Sequence, residues 1–369
     1  MELKIPVSEL AKALHRVQGI VEKKTTMPIL ANVLLEARDK ATLRISATNL
    51  ELGLTSTYPA EVTEPGSITL GGKALYDIVR SLPDATLSLK RAANNWVELN
   101  CGKVSYKVVG MAADGFPALP RFEDVELFPI EARVFKEMID KTIYSVSMDE
   151  TRYNLTGVYC EPIKDPPGLR MVSTDGHRLS VIERPLGKAP PMKKGVIIPR
   201  KGVVELRRLL EEGEGGGRLG FVENSAVFER DGLTLTMQLL EGQFPDYQQV
   251  IPSSFNRRII VPRQKLADAL KRTSLLSPDK AQGVRLELSP GVLALSANNP
   301  DLGEAREELE IDYDGEPLKI GFNFRYVADV LSVLEVEKVE LQLTDPLSPG
   351  VILPSGGEGY RAIVMPMRL

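Results

Sequence analysis

The chain has 369 residues, 43% of them apolar and 26% charged, a length that excludes a single core and fits two or three ordinary domains. Cys101 and Cys160 are too few and too unpatterned for a disulfide framework or a zinc site, and Glu2, Lys4 and Glu9 interrupt what a signal peptide would keep apolar, so a reducing, cytoplasmic setting is expected. No apolar run is long enough to cross a bilayer, and 46 basic against 50 acidic side chains leave a formal net charge of −4, a total that argues against a nucleic-acid partner.

Taken in order, the elements repeat. Pro6-Val7-Ser8-Glu9 reads as a helix start, and Leu10, Leu14 and Val17 predict a helix over 7–17. An alternating run from Leu43 then enters the polar turn Thr48-Asn49 and leaves as a second run, which predicts two strands around a turn. A second helix is predicted over 73–82, and strands return over 97–109. The series then starts again: a helix over 131–144 sets Val134 and Met138 where Leu10 and Leu14 stood, Thr174-Asp175 supplies the turn, and a helix over 200–210 leads to strands over 218–240. A third pass runs from a helix over 263–274, with Leu266 and Leu270, through Asn298-Asn299 and a helix over 323–334 to strands over 339–364. Asn49, Asp175 and Asn299 lie 126 and 124 positions apart, each close to a third of the chain.

The second helix of each pass sets the register. Lys73, Lys201 and Arg325 share one position, Asp77, Glu205 and Asp329 stand four residues on, and the sets Leu75/Ile78/Leu82, Val203/Leu206/Leu210 and Val327/Val330/Leu334 coincide. The fold class is therefore α+β: three domains, expected at 1–125, 126–252 and 253–369, each with two helices packed on antiparallel strands. The segments 116–120 and 244–252, opening with Phe116-Pro117 and Phe244-Pro245, read as extended linkers. The glycine cluster 213–217 reads as a helix-to-strand loop, since a phosphate loop would need Lys-Ser or Lys-Thr after it.

Charge is unevenly placed. The six predicted helices hold 16 Lys or Arg against 8 Asp or Glu, while the rest of the chain holds 30 and 42. One reading is that these cations solvate helix faces. The other is that the helices share a surface facing a polyanion, bound through phosphates without reading bases. No aromatic ladder of the kind single strands stack on runs along them, so duplex fits better. Three similar units in a row make an arc, and two arcs joined head to tail would close a ring lined by twelve helices.

A set of phrases resembles the β subunit of bacterial DNA polymerase III, the sliding clamp, along the whole chain. They are Met27-Pro28-Ile29-Leu30 with Asn32, Ala47-Thr48-Asn49-Leu50-Glu51, Arg152-Tyr153, Thr174-Asp175-Gly176-His177-Arg178-Leu179, Pro199-Arg200-Lys201-Gly202, Phe244-Pro245-Asp246-Tyr247, Gly321-Phe322-Asn323 and the terminal Val364-Met365-Pro366-Met367-Arg368-Leu369. The resemblance implies three tandem clamp domains in a head-to-tail homodimeric ring. Such a ring encircles double-stranded DNA and tethers the polymerase III catalytic subunit, the clamp loader and other proteins by short peptides, without catalysis of its own; the sequence itself has no His-Glu-x-x-His or paired cysteines to hold a metal and no sign of a cofactor.

Carried over position by position, the peptide pocket would comprise Leu155, Thr174, Gly176, His177, Arg178, Leu179, Pro245, Val250, Ile363, Val364, Met365, Pro366, Met367, Arg368 and Leu369. Leu179, Val250 and Val364 would supply burial, Met365 and Met367 would repack around different ligands, and Arg178 would orient the peptide. Lys24, Lys73, Arg80, Tyr153, Arg200 and Lys201 would face DNA. Tyr106 and Val108 would meet Leu275 and Leu276 at the dimer joint, with Lys103 and Lys107 opposite Glu304, Glu307 and Glu308. The chain departs from the family pattern at Gln248-Gln249, where arginines are common, at Asn154, where a second tyrosine is common, and at Asp149-Glu150, which add negative charge near the expected DNA path.

Two other readings stand beside this one. Asp175 and His177 with Ser173 or Ser180 suggest a nucleophilic triad, but strand neighbours project to opposite faces and no Gly-x-Ser-x-Gly elbow is present. A scaffold binding only proteins would have no use for the helix charge.

Overall fold

The computed structural model describes residues 1–22, 26–120, 122, 125–188, 190–192, 194–212, 215–277, 282–357 and 359–368. Lys24, Leu369, and Gly213 of the glycine cluster lie outside the described residues. Two compact units emerge, 1–132 with 204–239 and 133–203 with 240–369.

All six predicted helices form: α1 (Val7–Val17), α2 (Gly72–Val79), α3 (Ala132–Ile143), α4 (Arg200–Leu210), α5 (Arg263–Thr273) and α6 (Phe324–Ser332). Each presents an apolar stripe, as Leu10, Ala13, Leu14 and Val17 do in α1. Several start without a capping side chain, and α1 and α5 follow Pro6 and Pro262. Their first amides are satisfied from a distance instead: Val7 N–H donates to the Ala85 carbonyl at 2.9 Å and Arg263 N–H to that of Glu337 at 2.9 Å. In α6 the cap is local, with Asn323 accepting from the Arg325 amide. None of these helices is long and apolar enough to cross a membrane.

In the first unit one 13-stranded antiparallel sheet runs through both sequence segments. Strand Leu233–Gln238 pairs with Leu52–Pro59, placing Leu235 opposite Leu54. α1 and α2 pack Leu10, Leu14, Leu75 and Val79 into a core with Leu3, Ile5, Val33, Leu35, Leu43 and Ile45. In the second unit an eight-stranded sheet joins Arg178–Pro185 to Tyr360–Val364, with Leu179 opposite Ile363, and a four-stranded sheet holds residues 283–323. Tyr360–Val364 also pairs with Gly350–Pro354, so it is an internal strand rather than a frayed edge. The middle sequence copy is thus divided by hydrogen bonding, part completing a sheet with the first copy and part with the third.

The repeated turn has a physical cause. Asn49 accepts from the amides of Glu51 and Leu52 at 3.1 and 2.7 Å, and Asp175 from those of His177 and Arg178 at 2.9 and 3.1 Å. The preceding threonines add a second brace, since Thr48 and Thr174 hydroxyls donate to the Leu52 and Arg178 carbonyls at 2.8 and 2.6 Å. In the third copy Asn299 keeps one of these contacts, accepting from Asp301 N–H at 3.0 Å.

One linker reading is corrected. Residues 244–252 do not run as a free extended segment, because Tyr247–Val250 forms a 3₁₀ turn. Phe244 stacks on Tyr159, ring centroids 4.8 Å apart, and both Phe244 and Tyr247 are buried in a cluster with Leu155, Val172 and Ile363.

Candidate functional site

That anchored segment forms one wall of a cavity of about 200 Å³ lying wholly within the second unit. Leu155, from the 3₁₀ segment Glu150–Leu155, joins Leu179 and Ile363, cross-strand partners, as the buried floor. Pro245, Tyr247 and Val250 form the wall, Thr174 and Gly176 a rim, and Met365 the opposite lip. Val250 and Met365 remain 40% and 37% exposed, so apolar surface faces solvent on both sides of the opening. A space of this size is below that of a drug-sized ligand site and suits one or two apolar side chains. Burying each would contribute roughly 1.5–3 kcal/mol.

The rim is shaped by the repeated turn. Gly176 has φ +88°, and a Cβ there would lie 2.7 Å from Arg152 Nη1, so a side chain is doubly opposed. Arg152 in turn donates to the Asp175 carbonyl at 3.0 Å. Asp149, one of the two acids near the expected DNA path, caps the 3₁₀ turn by accepting from the Thr151 hydroxyl and amide at 2.7 and 3.0 Å, which hold its carboxyl below the usual range. Asn154 donates to the Gln243 carbonyl at 2.9 Å, tying that turn to the wall segment.

Beneath the wall, Arg170 donates to Glu161 and Glu183, each at 2.8 Å, and to the Tyr247 hydroxyl at 3.1 Å, while that hydroxyl donates to Glu161. Burial and the adjacent Glu161 carboxylate push Tyr247 up to about 12. The wall is therefore fixed by a closed polar network as well as by stacking.

Several predicted pocket residues sit elsewhere. Arg178 touches the cavity, but its guanidinium is turned into the fold: it bonds Asp175 at 3.0 Å, the Tyr144 carbonyl at 2.6 Å and Asp329, and lies 4.6 Å from the Tyr326 ring centroid. These contacts brace the rim from within the fold. Val364 is fully buried between Arg178 and Gly350, its paired partners, and is core rather than wall. His177 is exposed and stacks on Tyr326, and Pro366, Met367 and Arg368 do not line the cavity. Met365 and Met367 amides donate to the His177 and Gly321 carbonyls, each at 2.9 Å, so this tail is held by its backbone. Sequence reasoning missed Asp246 and Tyr247 as lining residues, although the quoted phrase contains both and Phe244 and Tyr247 recur at one-turn spacing.

The triad does not assemble. Ser173 is buried against Ser145, oxygens 2.6 Å apart, and Ser180 is buried against the Tyr144 hydroxyl, while His177 points to solvent. No cluster of three or more candidate metal ligands occurs among the described residues.

Lys73 and Arg80 on the first unit, and Tyr153, Arg200 and Lys201 on the second, are exposed. The helix surplus is smaller as free charge than as a count. Arg16 is spent on Glu212 at 2.6 Å, Arg207 on Glu211 at 3.0 Å and Arg272 on Glu307 at 2.5 Å, acids that lie outside the six predicted helices.

The expected joint residues lie on two strand edges. Val104–Met111 pairs with Trp96–Cys101 along its length but with Gly66–Gly71 only at Gly110 and Met111. Tyr106 is exposed on it and Val108 half-buried; Val109, which the sequence reading did not single out, is 62% exposed. Gly303–Glu310 ends the four-stranded sheet, with Leu275, 76% exposed, and half-buried Leu276 nearby in the chain contacts of that edge. Lys103 and Lys107 are exposed, the latter 3.8 Å from Glu98, whereas Glu307 and Glu308 already pair with Arg272 and Arg306 and Glu304 is exposed.

Comparison with known proteins gives a consistent result. The N-terminal, central and C-terminal domain families of the DNA polymerase III beta subunit match residues 1–120, 129–246 and 248–368. The beta sliding clamp of Caulobacter vibrioides is 35% identical over 373 residues, covering all of both chains. Among solved structures, the DNA polymerase III subunit beta of Pseudomonas aeruginosa aligns over all of both chains with a TM-score of 0.94 and 34% identity. The sliding clamp of Bartonella birtlesii, solved bound to griselimycin, does so with 0.95 and 35%.

Proposed function

Because this chain belongs to the DNA polymerase III beta subunit family, the sliding clamps, we propose that two copies close head to tail into a ring that encircles duplex DNA and holds polymerase to it. The chain is an accessory subunit of replication, and it acts by topology and tethering, with no turnover of its own. The observation carrying the tethering role is the cavity between Leu155, Leu179, Val250 and Met365: small, apolar, open, and walled by residues that are themselves anchored. It takes the apolar anchors of short peptides from the polymerase III catalytic subunit, the clamp loader and other partners.

The domain boundaries follow as 1–125, 126–252 and 253–369. For the joint, the exposed edge Val104–Met111 of one copy pairs with the edge Gly303–Glu310 of the other, adding backbone hydrogen bonds to apolar contact by Tyr106, Val108, Leu275 and Leu276. Lys103 and Lys107 face a strand bearing Glu304, Glu307 and Glu308. Each rim pair contributes about 0–1 kcal/mol, since Arg272 and Arg306 compete for the same carboxylates. Lys73 and Arg80 of the first unit and Tyr153, Arg200 and Lys201 of the second face the duplex, and the unpaired, buried Cys101 and Cys160 suit a reducing cytoplasm.

Retention on nicked circular duplex tests the whole reading. Protein loaded on circles should stay bound through a salt wash and fall off when the circle is cut, and retention equal on circles and linear fragments would mean that no ring is threaded.

A further inference from the structure

The first and second sequence copies cover the outer face of one strand pair differently. In the second copy Glu161 stands opposite Arg170, and Tyr247 closes over both with its hydroxyl while Phe244 stacks on Tyr159. In the first copy Glu36 stands opposite Arg44 in the same register, with Arg44 Nε 3.9 Å from the carboxylate. Phe116-Pro117-Ala118-Leu119 lies 128 positions before Phe244-Pro245-Asp246-Tyr247 and lines this face as its counterpart does. Phe116 supplies the first aromatic, but Leu119 stands where Tyr247 would. Leu119 is drawn aside onto strand Leu52–Pro59, where a Cβ on Gly53 would come within 2.7 Å of its Cδ2. The result is a cavity of about 480 Å³ over Glu36, Arg44 and Ser46.

We propose that this cavity is a second recognition site, and that it takes a tyrosine side chain presented by a short segment of a partner protein. The chain itself shows which group fits such a face. A phenol donates to the carboxylate and accepts from the guanidinium, the two roles Tyr247 fills against Glu161 and Arg170. Phenylalanine would cover the same charged groups without adding either bond. The charge balance also suits an acceptor oxygen here. Arg170 is shared between two carboxylates, whereas Glu36 is approached by two arginines, Arg44 and Arg38, the latter at 2.5 Å. A backbone-borne occupant is favoured over a free phenol because, in the filled copy, the ring arrives on a proline-turned segment. The rim of the empty copy offers Arg38 and Asp114 to such a backbone and its flanking side chains.

The test uses the intact protein and needs neither DNA nor a dimer, so its failure is separate from failure of the clamp reading. Acetyl-Pro-Asp-Tyr-Gln-amide, copying residues 245–248, is titrated beside its Phe and Ala counterparts and N-acetyltyrosinamide, and the site is mapped by photo-crosslinking and mass spectrometry. The expected result is saturable binding, about tenfold weaker with Phe, the scale of one hydrogen bond to a charged group. Crosslinks should fall within 34–46 and 113–119. Leu119→Tyr should fill the cavity from within, and exposed Ala118→Trp should roof it; both should abolish binding without lowering the melting temperature. Absence of saturation at millimolar peptide overturns the proposal. So do binding unchanged in both variants, crosslinks confined to the region of Met365, or N-acetyltyrosinamide binding as tightly as the peptide.

Discussion

At the scale of single residues, Arg178 shows how a largely buried charge can brace the rim of a cavity. With 12% of its side chain exposed, it joins the turn residue Asp175 to Asp329 of α6 and stacks against Tyr144 and Tyr326. Arg178→Ala should cost about 2–4 kcal/mol in urea unfolding, because two carboxylates and a carbonyl lose a shared partner. Arg178→Lys should recover little of it, since a point charge replaces neither the planar fork nor the stacking. Tyr144 and Tyr247 make a pH prediction. Burial pushes both up to about 12, so each favours the fold fully below the ordinary phenol value near 10, and that contribution is lost as pH rises toward 12. Stability measured from pH 9 to 12 should fall less steeply in Tyr144→Phe and Tyr247→Phe than in the parent. Residue roles were the part least legible beforehand. Val364 and His177 read as pocket residues from their phrases, but alternation along a strand and one stacked ring take them out of it.

Among the elements, the segment 244–250 carries the most consequence for its length. Anchoring by Phe244 and Tyr247 converts what composition suggests is a linker into a rigid wall. Phe244→Ala should therefore cost roughly 3 kcal/mol or more in stability and also weaken peptide binding. Met365→Ala, at the exposed lip, should weaken binding about tenfold while leaving the unfolding midpoint within measurement error, an effect of one lost apolar contact. Equal peptide affinity in both variants would remove this cavity from the tethering account. The six helices and the three turns were legible from sequence because their determinants are local: apolar residues at three- and four-residue spacing, and Asx side chains bonding amides two and three residues on. The missing helix caps were not legible, since the carbonyls of Ala85 and Glu337 that replace them are more than 70 residues from the amides they serve.

At the scale of the molecule, the joint makes the sharpest prediction. Leu275→Asp combined with Leu276→Asp should give a monomer by light scattering at micromolar concentration with an unchanged melting profile, because Leu275 is exposed within one chain and the proposed joint would bury it between two. A variant that stays dimeric would move the joint elsewhere. The sequence by itself determined the threefold order of helices, strands and turns, and its phrases pointed to the family, because periodicity and turn chemistry act over a few residues. Only the tertiary structure decided that the middle copy is divided between two sheets, which cations are neutralised, and which side chains wall each cavity. Strand pairing and burial bring together residues such as Leu54 and Leu235 or Leu179 and Ile363. No local pattern encodes which distant strand will be chosen.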